Sequence, residues 1–210
     1  MKSVFSDNDQ LALNIRDKLT LTKTNMINII GSPGCGKTSI LEYTIPELQS
    51  DFRQAVIEGD MATDKDARRL QKYDIPIIMV NTEGGCHLNA ASIQKALNQL
   101  DLNRIDVIFV ENVGNLVCPA HFDIGENMKI AVVSTTEGDD KPSKYPLLFH
   151  HADAVILNKT DLIPYTNFNE MSFWKDIDSL NPKITKFNIS CTSKEKNTDW
   201  LNWIKKNNHI

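Results

Sequence analysis

One stretch of this chain has the residue types and spacing to hold a nucleotide. Gly31-Ser32-Pro33-Gly34-Cys35-Gly36-Lys37-Thr38 matches the pattern GxxxxGK[ST], with Ser39 following. In such a loop the glycines let consecutive backbone N–H groups converge on phosphate oxygens, and the helix that opens behind it adds its positive end. Lys37 then reaches the β- and γ-phosphates, and the Thr38 hydroxyl holds Mg²⁺. A magnesium nucleotide also needs carboxylates at the carboxyl ends of neighbouring strands. Two segments supply them, Glu58-Gly59-Asp60 and Glu111-Asn112-Val113-Gly114. Asp60 is assigned to the metal side, as ligand or as orienter of the attacking water, and Glu111 to the Walker B-like position. Lys37, Asp60 and Glu111 are therefore the expected catalytic residues, and Thr38, Asp60 and Glu111 the expected Mg²⁺ set.

A second pattern addresses the base. Asn158-Lys159-Thr160-Asp161 matches NKxD and follows the apolar run Ala154 to Leu157. A carboxylate at Asp161 can accept hydrogen bonds from the ring N–H and the exocyclic amine of guanine, which adenine does not offer in that arrangement. Lys159 would lie along the base plane and Asn158 would brace the loop. Ser190 and Cys191, with Thr192, follow the last apolar run and can close over the base edge. GTP is favoured over ATP.

Thiols and imidazoles form a third constellation. Cys86-His87 lies in the segment Thr82 to Leu88, and Cys118 follows the Walker B-like strand. Two thiolates and one imidazole suit Ni²⁺ or Zn²⁺ and leave a fourth position open. His121 is an additional possible ligand. Free cysteine is also a common buried filler, so spacing alone leaves both readings open. Cys35 and Cys191 stand outside this set, as members of the phosphate and base loops. His150 and His151 are expected to cap a helix end or to face solvent.

These residues need a scaffold that brings several strand ends together. Short apolar runs recur at Met26 to Ile30, Ala55 to Ile57, Ile75 to Val80, Ile105 to Val110, Lys129 to Val133, Ala154 to Leu157 and Ile184 to Ile189. Helix-compatible stretches separate them, including Asp9 to Leu19, Asn89 to Leu100 and Thr198 to Lys205, while Asn207 to Ile210 reads as a frayed end. The alternation predicts an α/β protein, a three-layer P-loop NTPase with a mostly parallel central sheet. Residues 1–24 are expected to form a lead helix packed on a GTPase domain spanning 25–210.

Composition narrows the class further. The chain has 210 residues, 41% apolar and 24% charged, which suits one globular domain and no second full one. Its net charge of −4, with basic residues scattered among acidic ones, argues against a nucleic-acid partner. No apolar run approaches the length of a membrane span, and Met1 to Asn14 lacks the features of a secretory leader. Four cysteines without a CxxC pair suit a reducing cytoplasm, which is the expected location.

Taken in order, GSPGCGKT, EGDMATDKDARR, NTEGGCHLNA, ENVGNLVCPAHFDIGE, STTEGDDKPSKYP and LNKTDLIP resemble the HypB family, the hydrogenase-maturation GTPases that deliver nickel. The similarity runs from about Met26 to Ser193. It implies a SIMIBI-type G domain that dimerises with GTP and metal, and Ni²⁺ or Zn²⁺ held at the subunit interface by residues matching Cys86, His87 and Cys118. A second nickel metallochaperone and the hydrogenase large-subunit precursor are the implied partners. Lys141 is placed within reach of the facing subunit's nucleotide. The urease nickel GTPases have a related layout but carry Cys-Pro-His. Met1 to Asn25 has neither Cys nor His, so a nickel store of the kind that many members carry there is not expected.

Hydrolysis is expected to proceed by positioning and charge stabilisation. No Gln follows ENVG, so slow intrinsic turnover is expected. The alternatives are a nucleotide-dependent scaffold with structural cysteines, a urease-type nickel GTPase, and a P-loop small-molecule kinase, which NKxD and the absence of an arginine-rich lid disfavour.

Overall fold

The computed structural model describes residues 2–59, 69–82, 84–192 and 197–208. In chain order the helices are α1 (Lys2–Thr22), α2 (Lys37–Leu48), α3 (Ala90–Leu97), α4 (Cys118–His121), α5 (Lys141–Lys144), α6 (Pro146–His151), α7 (Glu170–Leu180) and α8 (Thr198–Asn208). The strands are β1 (Asn25–Gly31), β2 (Gln54–Glu58), β3 (Ile77–Met79), β4 (Val107–Glu111), β5 (Met128–Ser134), β6 (Ala154–Asn158) and β7 (Thr185–Ile189). Each predicted apolar run overlaps one of them. Only Ile75 to Val80 is markedly shorter as a strand. There Pro76 has no N–H to give, although its carbonyl accepts from Val56 at 2.9 Å.

Among the described residues all seven strands are parallel, in the order β3-β2-β4-β1-β5-β6-β7. The strand that leads into the phosphate loop is therefore central, flanked by β4 and β5. Burial on both faces explains the unbroken apolar runs. On β4, Val107 and Phe109 enter the core beneath α2 and α8, whereas Ile108 and Val110 enter the core beneath α1 and α3. A third cluster, built on Val133, Leu148, Phe149 and Phe173, lies under α6 and α7. The result is the three-layer P-loop architecture that the alternation predicts.

The lead helix runs further than the predicted Asp9 to Leu19. Its Ala12, Ile15 and Leu19 are buried with Met26 and Ile93. Gly125 sits so close beneath it that a Cβ there would stand 2.6 Å from Ile15. Arg16 and Asp123 form an ion pair of 2.6 Å, and Asn8 donates to the Asp123 carbonyl at 2.8 Å while accepting from the Ala90 N–H at 3.0 Å. At the other end, Asn207 and Asn208 continue α8, while His209 and Ile210 of the expected frayed end lie outside the described residues. Asn208 is buried and donates to the Ile204 carbonyl at 2.7 Å. Among the described residues, no helix is long and apolar enough to cross a membrane.

Candidate nucleotide site and metal centre

The phosphate loop lies at the end of the central strand and opens α2. Gly34 (φ 78°) and Gly36 (φ 99°) take left-handed conformations that side chains resist, as the tight turn of a phosphate loop requires. The Lys37 ammonium is buried and donates to the Gly31 carbonyl at 3.4 Å. Thr38, also buried, donates its hydroxyl proton to Glu111 Oε1 at 2.9 Å. A hydroxyl in the first turn of α2 and a carboxylate at the end of β4 are the hard oxygen donors that Mg²⁺ takes. Cys35 turns its side chain into the core, where burial pushes its thiol up to about 12. Ser39 accepts from Arg69 at 3.0 Å. Asp60 lies outside the described residues.

The NKxD loop clamps onto the phosphate loop. Asn158 donates to the Cys35 carbonyl at 2.8 Å, and its Oδ1 accepts from the Lys159 N–H at 2.8 Å and from the Cys191 thiol at 3.7 Å. Lys159 holds a left-handed backbone (φ 59°) and donates from Nζ to the Gly34 carbonyl at 2.7 Å. Asp161 accepts from Ser190 Oγ at 2.6 Å and from Thr192 Oγ1 at 3.1 Å. The Ser190 bond in particular holds the Asp161 carboxyl below the ordinary carboxylate range, so it stays an acceptor. Burial pushes the Cys191 thiol up to about 11.

The ligand atoms of Cys86, His87 and Cys118 all lie within 4.8 Å of one another. Cys86 is exposed, the other two partly buried, so the cluster sits at the surface. Phe122 stacks on the His87 ring with centroids 3.9 Å apart, which fixes the imidazole plane. Burial lowers the His87 pKa and favours the neutral ring a metal requires. The hydrogen bond shared with Cys118, with a smaller contribution from burial, raises that of the Cys86 thiol.

His121 stands apart from this cluster. It lines a separate surface cleft with Arg16, His151 and Asp153. His150 Nδ1 lies 3.2 Å from the Leu180 carbonyl, close to the end of α6. Lys141 is 3.8 Å from Glu137 and packs over the Tyr145 ring of the same chain.

A family model described as the CobW/HypB/UreG nucleotide-binding domain matches residues 25–188. The chain belongs to this family. The hydrogenase maturation factor HypB of Escherichia coli (strain K12) is 45% identical over 201 residues, covering 96% of this chain and 69% of that one. The crystal structure of HypB from Archaeoglobus fulgidus superposes with a TM-score of 0.90 at 30% identity, over 96% of this chain and 98% of that one. HypB from Helicobacter pylori in complex with nickel gives 0.90 at 35% identity, over 95% and 94%. These likenesses put the chain on the HypB side of the family.

In this HypB-family chain further residues bear on the site, and one is Glu58, from the Glu58-Gly59-Asp60 segment whose role the sequence assigns to Asp60. Glu58 is in register with Glu111 and equally buried, which sets a second carboxylate at the adjoining strand end. Its place at the close of an apolar run was the available signal. Asn112 and Asn115 contact the Cys86-His87 loop; both lie within ENVGNLVCPAHFDIGE, but the motif by itself gives them no role.

Proposed function

We propose that this protein is a GTPase that couples its nucleotide state to the delivery of nickel for hydrogenase maturation. The observation that carries the reading is the convergence of the Cys86, His87 and Cys118 ligand atoms within 4.8 Å, at the same end of the sheet as a phosphate loop. Soft thiolates with one imidazole bind Ni²⁺ or Zn²⁺, and a surface site with three protein ligands leaves room for transfer. The names of the relatives, a hydrogenase maturation factor and a nickel complex, support nickel as the cargo.

Lys37 and the loop amides neutralise the charge that grows at the β,γ-bridge, and Asp161 selects guanine. Thr38 and Glu111, with Asp60, would hold Mg²⁺, which when bound supplies further charge neutralisation on the phosphates. Asp60 or Glu111 orients the attacking water, and turnover is slow because no glutamine follows ENVG. The protein works in the cytoplasm as a homodimer that assembles with GTP and metal. The exposed Val117 beside Cys118 gives that contact an apolar element. A second nickel metallochaperone and the hydrogenase large-subunit precursor are its partners. Residues 1–24 act as a lead helix on the GTPase domain 25–210.

Equilibrium sizing with metal analysis in GDP, in a non-hydrolysable GTP analogue and without nucleotide tests this reading on wild type and Cys118→Ala. The expected result is nickel-bearing dimer with the analogue, lost in the variant. Equal nickel content and sizing in both proteins and all three states would overturn it.

A further inference from the structure

The segment from Glu111 to Cys118 touches the nucleotide loop and the metal loops in turn. Glu111 accepts from Thr38 on the α2 face of the sheet. Asn112 follows it and faces the other side, as successive residues of a strand must. Its N–H donates to the Ile29 carbonyl at 3.0 Å, which prolongs the ladder by one step. Asn112 Oδ1 accepts from the N–H of Leu88, the neighbour of His87, at 3.2 Å, and from Val113 at 2.9 Å.

From there a buried chain of two amides and a carboxylate runs to the segment that follows α4. Asn112 Nδ2 donates to Asn28 Oδ1 at 3.1 Å, Asn28 Nδ2 donates to Glu126 Oε1 at 3.1 Å, and Glu126 Oε2 accepts from the Ile124 N–H at 2.9 Å. Further along, Gly114 lies against the phosphate loop so closely that a Cβ would stand 2.7 Å from Pro33. Asn115 then donates to the Cys86 carbonyl at 3.3 Å and accepts from the Val117 N–H at 2.8 Å.

We propose that Asn112 and Asn115 are positioning residues that carry the state of the nucleotide loop to the thiolate pocket. Amide hydrogen bonds weaken steeply with angle and distance, so a shift of Glu111 or Gly114 draws Leu88 and the Cys86 carbonyl along. An apolar side chain would fill the same space and transmit nothing. Asn28 and Asn112 are fully buried, where an unmatched amide is strongly penalised, so the chain has one satisfied arrangement to hold or lose. The inference rests on the proposed coupling between nucleotide and nickel.

The test measures the Ni²⁺ dissociation constant by chelator competition, in GDP and in a GTP analogue, on wild type, Asn112→Ala and the more exposed Asn115→Ala. Wild type is expected to differ between the two states by about tenfold or more, and each variant to bring the ratio towards one, to within about twofold. By reciprocity, the variants' preference for the analogue over GDP ceases to depend on Ni²⁺. A merely structural role would weaken Ni²⁺ equally in both states and leave the ratio standing. Should Asn112→Ala fail to fold, Asn115→Ala decides. A wild-type ratio well away from one that survives in the folded variants overturns the assignment alone, whereas a wild-type ratio of one overturns the coupling and this inference together.

Discussion

Thr38 and Glu111 are joined by a buried hydrogen bond of 2.9 Å that ties the first turn of α2 to the end of β4. The two oxygens come from segments far apart in the chain, and the parallel pairing of β1 with β4 aligns them. Glu111→Gln keeps the shape and removes the charge. We expect GTP hydrolysis to fall about a hundredfold or more, and to respond less steeply to Mg²⁺. Single-turnover assays across a Mg²⁺ series check this, and a rate within twofold of wild type would remove Glu111 from the site.

Base selection gives a second test. An asparagine at Asp161 offers one acceptor and one donor where guanine presents two donors. Asp161→Asn should weaken GTP about tenfold to hundredfold, the range for a hydrogen bond to a charged group. Binding of the xanthine nucleotide, which carries a carbonyl in place of the exocyclic amine, should improve. Competition titrations of GTP against XTP read the switch.

The glycines of the phosphate loop separate strain from collision. A Cβ on Gly36 would stand 2.3 Å from Asn158 Nδ2, whereas one on Gly34 meets nothing within 4 Å. Gly34→Ala should lower stability by about 1–2 kcal/mol through its left-handed backbone alone. Gly36→Ala should be worse and also dislodge Asn158, weakening nucleotide about tenfold or more. Thermal melts with and without GDP distinguish the two.

The metal set is tested by contrast. Cys118→Ala should abolish the thiolate-to-nickel absorption of the Ni²⁺ complex, and His121→Ala, whose side chain lines the cleft with Arg16, should leave it intact. Loss of the band in His121→Ala would mean that the loop rearranges to bring it in.

Acid stability follows from the tie between α1 and the segment after Cys118. Burial pushes the Asp123 carboxyl up, but the Arg16 guanidinium and the Gly125 N–H together bring it below its ordinary value. A depressed carboxylate stabilises the fold above the unfolded pKa of about 4, and that contribution is lost as pH falls through the folded value. Asp123→Asn should therefore cost about 1 kcal/mol at pH 7, modest because the pair is partly exposed, and almost nothing near pH 2. Urea melts at the two pH values check the difference.

The chemistry of the phosphate loop was legible in the sequence because it is local: eight consecutive residues carry the turn, the charge and the helix start. The strands were legible for a related reason, since burial on both faces writes each as an apolar run. The NKxD loop and the HypB resemblance were read the same way, as ordered short motifs. What joins them is not local. Parallel pairing of β2 with β4 sets Glu58 beside Glu111, and the connection from β4 to β5 swings Cys118 back to Cys86.

His121, three positions from Cys118, is turned to another surface, which spacing alone does not reveal. Asn28 and Asn112 read as ordinary polar residues until the fold buries both and leaves each amide the other as a partner. The sequence by itself determined which groups are present and which backbone turns they can make. Only tertiary structure decided which distant groups meet, because strand order is chosen by the packing of whole faces and not by any single residue.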